Sequence, residues 1–234
     1  MRMVLTAHGS ADPRSAVTTH AVADQIRRQR PGLDVRVAFC ENSTPNLRDV
    51  LTGLDGPAVV TPLLLASAFH ARVDIPAIIA AAGADVLVAD TLGEDPRLVR
   101  VLRQRLSEAA PAGDRRDTGV LVVAVGSSHA EANAATDTLA AALAHRSRWA
   151  GVRVAYATGP APSVHAGVDE LRELGAKHVT LAPWFVAHGR ITDRIAAIAS
   201  AQGMTLAQPL GAHRLVASTV LDRFDQAVAG RLAA

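Results

Sequence analysis

The sequence has little of several residue types, and each shortage narrows what the chain can be. Cys40 is the one cysteine among 234 residues, so no internal disulfide can form and a reducing compartment is expected. No apolar run approaches the ~20 residues of a transmembrane helix, and the apolar stretch at the N-terminus is too short for a signal peptide. We therefore expect a cytoplasmic protein that does not enter a membrane.

Aromatic residues and lysine are also scarce. Aromatics make up 3% of the chain and Lys177 is the only lysine, so the core must be aliphatic and the positive charge comes from arginine. The net charge is +2 and no long basic run exists, which argues against a nucleic-acid partner. Scattered arginines suit a small ligand with several carboxylates better than they suit a nucleic acid, because a guanidinium can pair with a carboxylate through two hydrogen bonds. No glycine-rich dinucleotide motif or Walker sequence is present.

The chain is rich in short apolar runs that alternate with amphipathic segments. In the first half this pattern predicts strands at 3–7, 35–39, 58–65 and 86–89, and helices at 15–30, 45–54, 74–82 and 95–109. Thr44 is the predicted cap of the second helix, with Pro45 in its first turn. In the second half the pattern predicts strands at 120–125, 152–157, 178–182 and 205–207, and helices at 130–144, 162–174, 192–201 and 214–232. Such alternation predicts parallel α/β sheets covered on both faces.

The two halves repeat each other. Gly9 matches Gly126, the segment 35–39 matches 152–156, and Pro45 matches Pro162, each at the same shift along the chain. Agreement in strand, turn and helix signals predicts an internal duplication. The predicted domains are residues 1–110 and 119–234, with a linker at 111–118.

Three potential metal ligands break the repeat. His8, Glu41 and His70 follow the first three predicted strands, and the carboxyl ends of parallel strands are where ligands bind in open α/β sheets. The matching positions of the second half hold Val125, Thr158 and Gly189. One such histidine is more often a hydrogen-bonding turn residue, but two imidazoles and a carboxylate suit divalent Fe, Co, Ni or Zn. We therefore predict one metal site, in the first half, with His129 and His188 as further residues that could face the cleft.

Three segments in order resemble the motifs of the sirohydrochlorin chelatase family, the class II tetrapyrrole chelatases. They are Ala-His-Gly-Ser-Ala-Asp-Pro-Arg at 7–14, Val-Ala-Phe-Cys-Glu-Asn-Ser-Thr-Pro at 37–45, and Pro-Leu-Leu-Leu-Ala-Ser-Ala-Phe-His-Ala-Arg-Val-Asp-Ile-Pro at 62–76. The combination of all three is more specific than any one of them. The resemblance covers roughly the whole chain, because long members of that family also carry a degenerate second domain.

The resemblance implies two flavodoxin-like domains that face each other across a central cleft. It also implies a lyase that inserts Fe²⁺, for siroheme, or Co²⁺, for cobalamin, into sirohydrochlorin, with Ni²⁺ as a further option. By similarity, His8 and His70 bind the metal and Glu41 assists. The metal is then a substrate, with no permanently bound cofactor, and the fused pseudo-dimer would act as a monomer. The candidate substrate-binding residues are Ser10, Arg14, Pro45, Ala66, Ser67, Ala68, Phe69 and Arg72.

Two other functions stay open. Histidine phosphatases and phosphomutases also place His-Gly after the first strand. In those enzymes an arginine precedes the histidine, whereas this chain has Ala7 at that position. A non-enzymatic carrier of metal or tetrapyrrole would use the same ligands. The sequence also leaves open the physiological metal, the pathway, the oligomeric state and the residue that accepts the pyrrole protons.

Overall fold

The computed structural model describes residues 1–67, 70–109 and 115–233. Within these ranges the chain forms two four-stranded sheets, and all strand pairs are parallel. The first has the order β2-β1-β3-β4, from β1 (Arg2–Ala7), β2 (Val35–Phe39), β3 (Ala58–Pro62) and β4 (Leu87–Val88). The second has the order β6-β5-β7-β8, from β5 (Thr118–Ala124), β6 (Gly151–Tyr156), β7 (His178–Pro183) and β8 (Thr205–Leu206). The predicted α/β class with duplicated parallel sheets is confirmed.

The helices follow the strands in the predicted alternation. They are α1 (Pro13–Gln29), α2 (Leu47–Thr52), α3 (Ile75–Ala82), α4 (Pro96–Ala109), α5 (Ala130–Ala144), α6 (Val164–Glu173), α7 (Arg190–Ala201) and α8 (Arg214–Ala233). A π-helical turn (His70–Asp74) leads into α3, and a 3-10 turn (Arg115–Asp117) precedes β5. Of the predicted linker, residues 111–114 lie outside the described part. No helix in the described ranges combines the length and the apolar character needed to cross a bilayer.

The central strands explain why the apolar runs are continuous rather than alternating. β5 is buried along its whole length, and so is β1 after Arg2. A strand covered by helices on both faces needs apolar side chains at successive positions. The two sheets also share their register, because Met3 pairs with Val35 and Val59 as Val120 pairs with Val152 and Thr180.

The compact units of the fold differ from the predicted domains. One unit comprises Met1–Asp95 with Gly211–Ala234, and the other comprises Pro96–Leu210. Helix α4, predicted in the first domain, thus belongs to the second unit, and α8 belongs to the first. The boundaries at 110 and 119 mark the sequence repeats, whereas the last helix of each repeat covers the sheet of the other.

Side-chain contacts hold α8 within the first unit. It packs on α1, β3 and β4. Arg30, the residue that follows α1, forms two bonds of 2.7 Å with the two carboxylate oxygens of Asp225. Arg223 donates to the carbonyls of Thr91 at 3.0 Å and Leu92 at 2.9 Å. Within the second unit, α4 packs on β7 and α5 in the corresponding way.

The start of α2 differs from the prediction. Asn46, not Thr44, is the N-cap, and its side chain accepts a hydrogen bond of 2.9 Å from the Arg48 amide. Pro45 lies before the helix, where its carbonyl accepts a bond of 3.0 Å from the Phe39 amide. Asn46 itself forms an isolated parallel bridge with Phe39 and is therefore extended, so the helix can begin only after it.

Candidate metal site

The carboxyl ends of β1 and β2 bring two of the predicted ligands together. Beyond the strands, the Cys40 amide donates to the Ala7 carbonyl and the Glu41 amide donates to the His8 carbonyl, each at 3.0 Å. These bonds extend the ladder by two residues and set His8 beside Glu41. Nε2 of His8 lies 3.3 Å from Oε1 of Glu41, and the two side chains are 37% and 56% exposed. Because Nδ1 of His8 is buried, Nε2 is the nitrogen available to a ligand.

A glycine turn makes this approach possible. Gly9 has a φ of +94°, and a Cβ there would lie 1.7 Å from the Glu41 carbonyl oxygen. Gly126 has the same conformation, and its Cβ would lie 1.7 Å from the Gly159 carbonyl oxygen. Both units therefore have a glycine of the same conformation at this point, although the carbonyl that Gly126 approaches lies one residue beyond the match of Glu41. The turn needs no imidazole or carboxylate beside it, since the second unit has Val125 and Thr158 there.

Ser43 clamps the turn from the neighbouring loop. Its Oγ accepts a hydrogen bond of 3.1 Å from the Ser10 amide and donates one of 3.0 Å to the Ser10 carbonyl. The Ser10 hydroxyl in turn accepts a bond of 3.0 Å from the Asp12 amide. Ser10, a candidate for substrate binding, therefore holds the loop that carries His8. Unit two replaces this clamp with Asn133, which bonds to the backbone of Ser127 at 2.9 and 2.7 Å.

The two candidate arginines have different surroundings. Arg14 is paired with Asp12, the N-cap of α1, through contacts of 2.5 to 3.2 Å. Arg72 lies exposed on the π-helical turn, and its Nε donates a bond of 3.1 Å to the Ser67 hydroxyl. The Asp12 carboxylate thus competes with any substrate carboxylate for Arg14.

The segment after β3 carries the third predicted ligand. The Leu63 amide donates to the Thr6 carbonyl at 2.7 Å, so the chain continues along β1 towards the same sheet edge. Ala66 and Ser67 follow there, while Ala68, Phe69 and the side chain of His70 lie outside the described part. Among the side chains that are described, no group of three or more His, Cys, Asp or Glu could hold a metal ion.

Cys40 reports on the charges around this edge. Burial, and after it the charges of Asp74 and Glu41, raise the pKa of the Cys40 thiol to about 11. Cys40 itself is partly buried and packs against the apolar core of the first unit. With such a pKa the thiol stays protonated near neutral pH and is a poor metal ligand.

Comparison with known proteins identifies the family. The model of the CbiX family matches the chain twice, over residues 2–109 and 119–227. The chain belongs to the CbiX family. The two matches coincide with the two sequence repeats.

Named relatives of this CbiX family member include two proteins of Priestia megaterium. A sirohydrochlorin cobaltochelatase is 27% identical over 83% of this chain and 67% of the relative. A sirohydrochlorin ferrochelatase is 28% identical over 80% of this chain and 77% of the relative.

Solved structures share the fold of this CbiX family member. SirB from Bacillus subtilis with Fe³⁺ has a TM-score of 0.83 at 19% identity, covering 100% of this chain and 98% of that one. A CbiX described as the terminal enzyme for biosynthesis of siroheme in denitrifying bacteria has a TM-score of 0.74 at 24% identity, covering 97% and 99%. Both likenesses establish the α/β architecture.

The second-unit histidines have local partners in this CbiX family member. The His129 amide donates to the Ser127 hydroxyl at 3.0 Å, and His129 is the residue before α5. Nε2 of His188 lies 2.9 Å from Oε1 of Gln208. That either histidine faces a substrate stays a prediction.

Sequence reasoning missed three residues near the candidate site. Ser43 clamps the turn, Asp74 contributes charge near Cys40, and Asn42 contacts the Glu41 carboxylate. A signal for Asn42 was available, because the matching position of the second half is Gly159. Glycine there and asparagine here both indicate a left-handed backbone.

Proposed function

We propose that this protein is a sirohydrochlorin chelatase, which inserts Fe²⁺ or Co²⁺ into sirohydrochlorin. Membership of the CbiX family and the activities named for the Priestia megaterium relatives support the proposal. The structural observation that carries it is the pair formed by His8 and Glu41, with 3.3 Å between Nε2 and Oε1, at the edge where parallel α/β sheets bind ligands.

The metal is a substrate in this reaction, so the protein must hold it and then release it to the macrocycle. We propose His8 and His70 as the ligands that hold the ion. A set of imidazole and carboxylate ligands releases a divalent metal more readily than a closed set of thiolates does. A small number of protein ligands also leaves coordination positions open for the ring nitrogens. The partial exposure of His8 and the exposure of Glu41 are consistent with transfer of the ion.

Glu41 is the proposed proton acceptor. Any proton shared between Nε2 of His8 and Oε1 of Glu41 must move before Nε2 can bind a cation, and the carboxylate at 3.3 Å is placed to take it. Two pyrrole protons must also leave the macrocycle as the metal enters. The exposed carboxylate of Glu41 can receive them one at a time, because each proton can pass to solvent before the next is accepted.

Arg72 is the proposed anchor for the carboxylates of sirohydrochlorin. Its Nε is held by the Ser67 hydroxyl at 3.1 Å, and a guanidinium oriented through Nε can present its two terminal nitrogens to a carboxylate. Arg14 is a second candidate, and its guanidinium is paired with Asp12. Contacts of Pro45, Ala66, Ala68 and Phe69 with the macrocycle stay predictions.

Two histidine substitutions test the proposal. His8→Ala and His70→Ala should each lower the rate of sirohydrochlorin metalation by roughly 100-fold or more, the loss expected when an interaction worth several kcal/mol is removed. The rate is followed by the absorption shift of the tetrapyrrole under anaerobic conditions with Fe²⁺, Co²⁺ and Ni²⁺ in turn. His165→Ala, an exposed residue on α6, is the matched control and should keep the wild-type rate. Wild-type rates in both site variants would refute the metal-ligand assignment.

Turnover separates this function from the two alternatives. A chelatase converts many equivalents of sirohydrochlorin per protein, whereas a carrier stops at about one. Hydrolysis of a chromogenic phosphate ester would instead favour a phosphatase, and we expect none. A cytoplasmic location and activity as a monomer are proposed together with the function, and size-exclusion chromatography tests the second.

A further inference from the structure

Asn42 reaches the proposed metal site through a single carboxylate oxygen. Its Nδ2 donates a hydrogen bond of 2.8 Å to Oε1 of Glu41. The same oxygen lies 3.3 Å from Nε2 of His8. An exposed glutamate has several rotatable bonds, and a hydrogen bond of this kind selects one arrangement among them. The carboxylate is therefore shared by the imidazole and the carboxamide.

The second unit shows what the backbone alone requires at this position. Asn42 has a φ of 54°, and the matching residue, Gly159, has a φ of 102°. Both lie in the left-handed region, where glycine is the least costly residue and asparagine is tolerated. Glycine would thus satisfy the turn in either unit. In the second unit, Thr158 is followed by Gly159. In the first unit, Glu41 is followed by Asn42, whose side chain bonds to the Glu41 carboxylate.

The chemistry of a carboxamide suits a site for a cation. A lysine or arginine at position 42 would also hold the carboxylate, but its charge would repel a divalent metal. The amide N–H is a neutral donor, so it orients Glu41 and leaves its negative charge available to the ion. In the second unit, Thr158 takes the place of Glu41. Its hydroxyl donates to the Val125 carbonyl at 2.8 Å, so there is no carboxylate at this position for a neighbouring side chain to orient.

We propose that Asn42 is a positioning residue for metalation, which holds the Glu41 carboxylate beside His8. This inference rests on the proposed function, because it concerns the same site. Asn42 thus affects the binding of the metal and has no effect on the folding of the turn.

The substitution Asn42→Gly tests it, because it gives the first unit the residue that the second unit already has. The KM for Co²⁺ should rise about 10-fold, as is common when a partner that orients a metal ligand is lost. The KM for sirohydrochlorin should stay unchanged. The dissociation constant of Co²⁺ alone should rise in parallel, with a change in its visible absorption bands. The matched control, Gly159→Asn, should leave all four quantities at their wild-type values.

Each outcome decides a different point. An Asn42→Gly protein with a wild-type KM for Co²⁺ and an unaltered Co²⁺ spectrum overturns the inference and leaves the proposed function standing. A loss of thermal stability beyond about 4 °C without a selective effect on Co²⁺ would mean a structural role and also overturns it. If the wild-type protein fails to metalate sirohydrochlorin, the proposed function is wrong. The Co²⁺ dissociation constants of the wild type and of Asn42→Gly still test whether Asn42 positions a metal ligand.

Discussion

Single residues at the ends of β1 and β2 determine whether the two loops can approach each other. Gly9 passes within van der Waals distance of the Glu41 carbonyl, and Ser43 bonds to both backbone groups of Ser10. Glu41 is exposed and His8 is partly exposed, with its Nδ1 buried. Their separation of 3.3 Å therefore depends on the backbone contacts beneath them together with the hydrogen bond from Asn42 to Glu41.

Substituting Gly9 should damage stability and metalation together. Gly9→Ala places a Cβ 1.7 Å from the Glu41 carbonyl oxygen at a φ of +94°, so the two loops must separate. Gly83→Ala is the control, because Gly83 also has a positive φ but nothing lies within 4 Å of its added Cβ. We expect Gly83→Ala to cost about 1 kcal/mol of unfolding free energy and Gly9→Ala about 1–3 kcal/mol more. Urea unfolding measures both, and equal losses would contradict the close approach.

The raised pKa of Cys40 predicts a pH effect with a definite sign. The folded state favours the neutral thiol up to about pH 11, whereas an unfolded chain releases the proton near pH 8.5. The thiol's contribution to stability is thus complete below about pH 8.5 and is lost as the pH rises towards 11. Between pH 8 and 10.5 the wild-type protein should lose more stability than Cys40→Ala. Parallel losses in the two proteins would show that Cys40 has an ordinary pKa.

Among the elements, α2 shows how a tertiary contact moves a helix start. The Thr-Pro-Asn stretch allows a cap at Thr44, and periodicity predicts a helix from residue 45. The Phe39 amide instead bonds to the Pro45 carbonyl, which keeps the chain extended as far as Asn46. The equivalent bond in the second unit joins the Tyr156 amide to the Pro162 carbonyl, and Ser163 caps α6 there.

The cap assignment is tested by comparing two alanine substitutions. Asn46→Ala removes the acceptor of the Arg48 amide and should lower the unfolding free energy by about 1 kcal/mol. Thr44→Ala should change it by less than about 0.5 kcal/mol, since Thr44 is exposed and outside the helix. Denaturant midpoints compare the two proteins. A larger loss of unfolding free energy in Thr44→Ala than in Asn46→Ala would mean that Thr44 is the N-cap after all.

For the whole molecule, the main feature is the exchange of the last helices. Helix α8 completes the unit built on β1 to β4, and α4 completes the unit built on β5 to β8. In the first unit, the bonds of Arg30 with Asp225 and of Arg223 with the carbonyls of Thr91 and Leu92 tie distant parts of the chain together. Neither repeat therefore contains all the helices that cover its sheet.

Division of the chain at the repeat boundary should consequently fail to give two independent domains. A fragment of residues 1–109 lacks α8 and should expose the apolar surface that α8 covers. We expect it to aggregate or self-associate, with weak near-ultraviolet circular dichroism and strong binding of a hydrophobic dye. Co-expression with residues 115–234 should restore a compact complex. A monomeric, cooperatively unfolding 1–109 fragment would contradict the exchange.

Much of the architecture was predictable because its signals are local. Apolar runs and helical stripes depend on nearby residues, and a duplicated pattern identifies the repeats without any knowledge of contacts. The adjacency of His8 and Glu41 followed from one topological rule, that parallel strands end at a common edge. The roles of Ser10 and Arg14 were less predictable, because Ser43 and Asp12 already occupy their polar groups.

The sequence by itself therefore determined the α/β class, the duplication and the candidate ligands at the strand ends, since each follows from periodicity or position along the chain. Only the tertiary structure decided which unit each last helix completes, where α2 begins and which side chain orients Glu41. These features depend on hydrogen bonds and packing between specific atoms in space. No pattern of residue types along the chain specifies such distances.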